Sequence, residues 1–99
     1  MKPLAIHAEA EAEVGEAIAY YEAQRAGLGR EFREDLEHAF TRIRQGPGVH
    51  APIDEQGTRK LRFRRFPYTI YYVELEGSIW IAAVAHQKRR PGYWTGRRL

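Results

Sequence analysis

Near its end the chain carries nine consecutive residues, His86-Gln87-Lys88-Arg89-Arg90-Pro91-Gly92-Tyr93-Trp94, in which cations, one imidazole and two large aromatic rings crowd together. Arg89 and Arg90 offer planar, bidentate donors suited to phosphate or carboxylate, and Tyr93 and Trp94 offer faces on which rings stack. His86 supplies an imidazole, the side-chain type most used for general acid or base work. The bland alternatives stand beside these: a strand-end histidine that only makes a structural hydrogen bond, and an indole at Trp94 that anchors the tail. A second basic run, Arg59-Lys60-Leu61-Arg62-Phe63-Arg64-Arg65, alternates as a strand does. Alternation puts Lys60, Arg62 and Arg64 on one face and Leu61 and Phe63 on the other. On an open sheet face such cations line a groove about 6.6 to 7 Å apart, near the separation of successive phosphates on one nucleic-acid strand. The same charges also guard an edge strand against aggregation. Arg59, Lys60, Arg62, Arg64, His86, Arg89, Arg90, Tyr93 and Trp94 are therefore the candidate contacts to an acidic partner.

Charge is divided unevenly along the sequence. Residues 1–57 hold six Lys/Arg against eleven Asp/Glu, residues 58–99 hold ten against two, and together they give the net +3 of the whole chain. An acidic half followed by a basic half points to a polyanion or an acidic protein segment as partner. The absence of cysteine excludes a disulfide framework, a Cys-type zinc site and a thiol nucleophile. His7, His38 and His50 are scattered without ligand spacing, so no metal and no cofactor are expected. No run approaches the roughly 20 apolar residues of a spanning helix, and the first residues lack a secretory apolar region. A cytoplasmic protein with no membrane association is the expectation, and 99 residues make one domain over residues 1–99.

The elements that must position these groups follow from periodicity. Leu4 to His7 is a short candidate strand. Ala8 to about Arg25 reads as a helix, with Val14, Ala17, Ile18 and Tyr21 on one stripe and Glu9, Glu11, Glu13 and Glu16 crowding its positive end. Gly27-Leu28-Gly29 breaks the pattern. A second helix is predicted from about Arg30 to Arg44, with Phe32, Leu36, Phe40 and Ile43 along its apolar stripe, and Gly46-Pro47-Gly48 stops it. Val49 to Gly57 reads as a loop. Three strands, Thr58 to Arg65, Tyr68 to Glu74 and Ser78 to His86, then form an antiparallel meander. Each tyrosine pair, Tyr20/Tyr21 and Tyr71/Tyr72, is expected to straddle a buried and an exposed face. Gly96 to Leu99 is expected to fray. The fold class is α+β: an N-terminal helical hairpin packed on a small twisted antiparallel sheet.

In this order, several groups of residues resemble the RelE/ParE toxins of bacterial type II toxin-antitoxin systems. They are Tyr20-Tyr21 closing the first helix, Gly27-Leu28-Gly29 with Phe32 after it, Arg59-Lys60-Leu61-Arg62, Arg65-Phe66-Pro67-Tyr68 before Ile70-Tyr71-Tyr72, and the ending His86, Arg89, Pro91, Tyr93, Trp94. The ending is most like the ParE branch. The resemblance implies a RelE/ParE toxin-like fold that includes the N-terminal strand, and a growth-inhibiting, plasmid-stabilising toxin. It would act non-enzymatically by binding DNA gyrase and would be neutralised by a cognate antitoxin, as a homodimer or as a hetero-oligomer with the antitoxin. The alternative it implies is a metal-independent mRNA endoribonuclease of the RelE type, working on the ribosome with Lys60, Arg62, His86, Arg89 and Tyr93 as catalytic set. Two basic positions of those nucleases look matched by Lys60 and Arg62. A third is Thr69 here, which removes a charge aimed at the phosphate, and their C-terminal tyrosine is similar in place to Trp94, which has no phenol.

Overall fold

The computed structural model describes residues 1–97 and orders the chain as β1 (Leu4–Ile6), α1 (Ala8–Gln24), α2 (Leu28–Gln45), β2 (Thr58–Arg62), β3 (Tyr68–Glu74) and β4 (Ile79–His86). The sheet runs β1-β4-β3-β2. β2, β3 and β4 are the antiparallel meander read from the sequence. β1 pairs with β4 in parallel, Leu4 to Ile79 and Ile6 to Ile81, so the sheet is mixed rather than wholly antiparallel. No hairpin links these two strands; the helices and the other strands intervene, so the antiparallel sense that a tight turn imposes does not apply.

Local chemistry sets the helix boundaries. His7 caps α1 by accepting the Glu9 N–H on Nδ1 at 3.0 Å, and Glu9 and Glu11 sit in the first turn at the positive end of the dipole. Gly27 adopts φ 90°, a left-handed conformation that favours glycine. The Glu22 carboxylate reaches over from α1 to accept the N–H of Gly27 and of Gly29, each at 3.0 Å, and does the work of an N-cap. α2 therefore starts at Leu28, two residues earlier than its apolar stripe predicts. At Gly29 the helices touch: a Cβ there would lie 2.9 Å from the Ile18 carbonyl oxygen.

Both helices pack on one face of the sheet, α1 over β4 and α2 reaching β2. Phe32 is fully buried at the centre, its ring 5.0 Å from Tyr68 and 5.3 Å from both Phe63 and Phe66. One polar residue of α2 enters this core. Asp35 Oδ2 accepts the backbone N–H of Arg65 at 2.9 Å and of Phe66 at 3.1 Å. Those two amides are thereby turned away from β3, which is why β2 ends at Arg62 instead of running to Arg65. The tyrosine pairs divide as expected: Tyr20 is 60% exposed while Tyr21 joins the core, and Tyr72 is fully buried with Tyr71 on the opposite face. Among the described residues, no helix is long and apolar enough to cross a membrane, and no group of three or more His, Asp or Glu is arranged to hold a metal ion.

Candidate functional site

β2 presents its cations as alternation requires. Leu61 and Phe63 are buried under the helices, while Lys60, Arg62 and Arg64 are exposed. Lys60 stands across from Tyr71 and Arg62 across from Thr69 on the sheet face that carries no helix. The C-terminal segment covers part of this outer face. Trp94 stacks on Tyr71 with ring centroids 4.7 Å apart and packs on Ala82 and Ala83, which leaves it 8% exposed, so it is an anchor. Arg62 reaches Gln87 Oε1 at 3.3 Å and ties the end of β2 to the start of that segment.

β4 does not keep a simple alternation. Tyr71 pairs with Ala83 and Tyr72 with Ile81, so Ala82 is an extra residue, a bulge. Up to Ile81 the even-numbered side chains face outward, Trp80 among them; beyond the bulge the phase reverses and Ala83 and Ala85 face outward. His86 consequently pairs with Tyr68 on the helix side, the two rings edge to face at 5.1 Å. Its Nδ1 accepts the Lys88 N–H at 3.0 Å, a local structural bond. His86 thus lies on the opposite face of the sheet from Lys60 and Arg62. It lines a cleft of about 330 Å³ with Glu13, Glu16, Ala17, Tyr20, Tyr68, Val84 and Arg89. The Tyr68 phenol in that cleft is pushed up to about 12 by burial and by the neighbouring Tyr21, which keeps it protonated at neutral pH.

One carboxylate organises the C-terminal segment. Glu13 Oε1 accepts the Val84 N–H at 2.9 Å and an Arg97 Nη1 hydrogen at 3.2 Å; Oε2 accepts the Tyr93 hydroxyl at 2.6 Å and Arg97 Nη2 at 2.8 Å. Burial pushes the Glu13 carboxyl up, but the bonds from Arg97, Tyr93 and Val84 outweigh it and hold it below the usual range. Burial and then the bond to Glu13 push the Tyr93 phenol up, so it stays protonated. Arg97 also donates to the Ala82 carbonyl at 2.8 Å. The tail is therefore pinned through Arg97 rather than frayed from Gly96 onward; Arg98 and Leu99 lie outside the described residues. Arg89, exposed, places its guanidinium carbon 3.8 Å from the Tyr93 ring centroid.

The expected site residues are thus dispersed. Lys60 and Arg62 belong to the outer face with Trp94, Arg64 is exposed just past the end of β2, and His86, Arg89 and Tyr93 belong to the β4 edge and its cleft. Arg59 turns inward, with Nη1 3.6 Å from Glu74 and Nε buried without an acceptor. Arg90 is exposed on the turn beyond β4. Among the described residues, none of Lys60, Arg62, Arg64, Arg89 and Arg90 has an ion pair, whereas Arg65 is paired with Glu31 at 2.7 Å and Arg97 with Glu13. Glu13 is not marked in the sequence, because its place among the glutamates of α1 looks like ordinary dipole chemistry. Asp35 is marked only by its position next to Leu36 on the apolar side of α2.

Residues 4–91 match the family model described as the ParE toxin of the type II toxin-antitoxin system, parDE. Among solved structures, the chain is similar to a protein of the chromosomal ParDE toxin-antitoxin system from P. aeruginosa, at 15% sequence identity and a TM-score of 0.64 over 87% of this chain and 96% of that one. No curated protein matches. That likeness is one of fold, α+β with two helices on a four-stranded sheet, and it comes with a family match over nearly the whole chain. The chain belongs to the ParE toxin family of type II toxin-antitoxin systems.

Proposed function

We propose that the chain is a toxin that stops growth by binding DNA gyrase, without cleaving RNA, and that a cognate antitoxin neutralises it. The observation that carries this reading is the separation of the groups an RNA-cleaving site would need. Lys60 and Arg62 share the outer face with Thr69 and a buried, stacked Trp94, while His86 and Tyr93 lie elsewhere and the Tyr93 phenol is committed to Glu13. General acid–base work requires its groups within reach of one reacting phosphate. A binding surface has no such requirement: scattered exposed cations and a firmly anchored tail suffice to recognise a macromolecule.

The antitoxin half of the proposal draws on two surfaces. A groove of about 280 Å³ between the helices, lined by Ile6, Val14, Leu36 and Phe40 together with Glu11, Arg33 and Glu37, suits the apolar face of an amphipathic segment. The unpaired cations suit an acidic chain that orders on contact. The test incubates the purified chain with gyrase and supercoiled DNA and, in parallel, with translating ribosomes. Gyrase inhibition with intact messages is expected; messages cut in codon register would overturn the reading. Exchanging Arg62 and Arg89 for Glu is expected to weaken antitoxin association at low salt and much less at high salt.

A further inference from the structure

We infer that Glu13 of α1 is a positioning residue, a clasp that fixes the C-terminal segment 87–97 on the β4 edge and so holds Arg89 where a target can meet it. The inference rests on the reading that this basic segment contacts the target. β1 ends at Ile6, and the last bond on that edge runs from the His7 N–H to the Ile81 carbonyl at 3.0 Å. Beyond it, β4 has no neighbouring strand on this side. The bulge frees the Ala82 carbonyl, and the Val84 N–H faces the same gap. In place of a strand, the Glu13 carboxylate takes the amide and the Arg97 guanidinium takes the carbonyl, and the two side chains bond each other. Each side chain is only 10% exposed. A buried charged pair of this kind is stable when every lone pair and proton is satisfied, and breaking one member is costly.

From this clasp a chain of contacts reaches the exposed surface. The Tyr93 hydroxyl donates to Glu13, the Tyr93 ring is then fixed, and the Arg89 guanidinium lies on that ring. Arg97 approaches the same ring, its guanidinium carbon 5.2 Å from the centroid. Trp94, stacked on Tyr71, ties the segment to the sheet at a second point but has no contact with Arg89 among those described. Glu13 therefore sets where Arg89 is, without being an exposed contact itself.

The test uses the full chain with Glu13→Gln, which keeps one acceptor for Val84 but loses the charge, together with Tyr93→Phe, Arg89→Glu and the double variant Glu13→Gln/Arg89→Glu. Two quantities are read: growth arrest as a function of induced chain, and hydrogen exchange of the backbone amides at 88–97. We expect Glu13→Gln and Tyr93→Phe to speed exchange at 88–97 while α2 and β3 stay protected. We expect Glu13→Gln to require about tenfold more chain for the same arrest, the scale of losing one interface arginine. In the Arg89→Glu background, adding Glu13→Gln should change arrest no further; a purely structural loss would add to it. Unchanged exchange at 88–97 in both single variants overturns the clasp whatever the toxicity shows. Full potency of Glu13→Gln beside an inactive Arg89→Glu overturns the positioning role alone, and full potency of Arg89→Glu overturns the reading on which it rests.

Discussion

Replacing Asp35 with alanine isolates the one buried carboxylate of α2, and the cost can be worked from its two bonds. Asp35 Oδ2 holds the Arg65 amide at 2.9 Å and the Phe66 amide at 3.1 Å. The Phe66 amide is buried, so without Asp35 it has no route to water, and a desolvated unpaired donor costs about 1–3 kcal/mol. The Arg65 amide belongs to an exposed residue and recovers a water, which leaves a smaller net loss of about 1 kcal/mol. The expected destabilisation is about 2–4 kcal/mol, a large share of the roughly 5–15 kcal/mol that holds a small domain folded. For a domain of this size the melting temperature should fall by roughly 10–20 °C. Urea unfolding followed by far-UV circular dichroism reads the effect as a lower midpoint at unchanged slope. Asp35→Asn keeps one acceptor and should lose about half as much. An unfolding free energy for Asp35→Ala within about 0.5 kcal/mol of the parent would refute the claim that this carboxylate fixes the β2–β3 connection to α2.

Gly29→Ala reverses the usual effect of alanine in a helix: the new Cβ meets the Ile18 carbonyl oxygen at 2.9 Å, so a loss of about 1–3 kcal/mol is expected in place of a gain, read by the same urea titration. Phe32→Ala empties the centre of the aromatic cluster and should cost about 3–5 kcal/mol; a melting temperature that stays put would mean that α2 is not seated on the sheet as described. Glu13 gives a pH dependence whose sign follows from its lowered carboxyl: its contribution is present above the carboxyl's unfolded value and is lost as pH falls through the folded value. Unfolding midpoints measured below about pH 5 should therefore fall less steeply in Glu13→Gln than in the parent, and parallel curves would deny Glu13 that role.

Much of this architecture is legible in the sequence because the signals are local. Phe32, Leu36, Phe40 and Ile43 repeat at helical spacing, and Lys60 and Arg62 alternate with Leu61, so helix faces and the outward cations of β2 follow from geometry alone. What is hidden depends on partners far along the chain or on a break in phase. Ala82, Ala83 and Ala85 are all small and apolar, so nothing in the run tells which of them faces the core, and the bulge that turns His86 to the helix side leaves no mark. Glu13 and Asp35 look like ordinary helix carboxylates until Arg97, 84 residues away, and the Phe66 amide, 31 residues away, are brought to them. Arg59 misleads in the opposite way: it sits in a basic run, yet strand parity carries it inward beside Tyr72 and towards Glu74.

The place of β4 between β1 and β3 has a consequence for how the molecule comes into being. β4 is the last strand in chain order and yet one of the two interior strands of the sheet. A nascent chain can form its helical hairpin early from local contacts, but β1 has no neighbour and β3 only its β2 partner until residues 79–86 have been made. The closures between Lys2 and Glu74, 72 residues apart, and between Glu13 and Val84, 71 apart, likewise wait for the final quarter of synthesis. Completion of the sheet is therefore late, paced by loop closure rather than by helix formation, and a chain cut short before β4 has its helices and a β2–β3 ribbon but lacks the strand on which α1 packs.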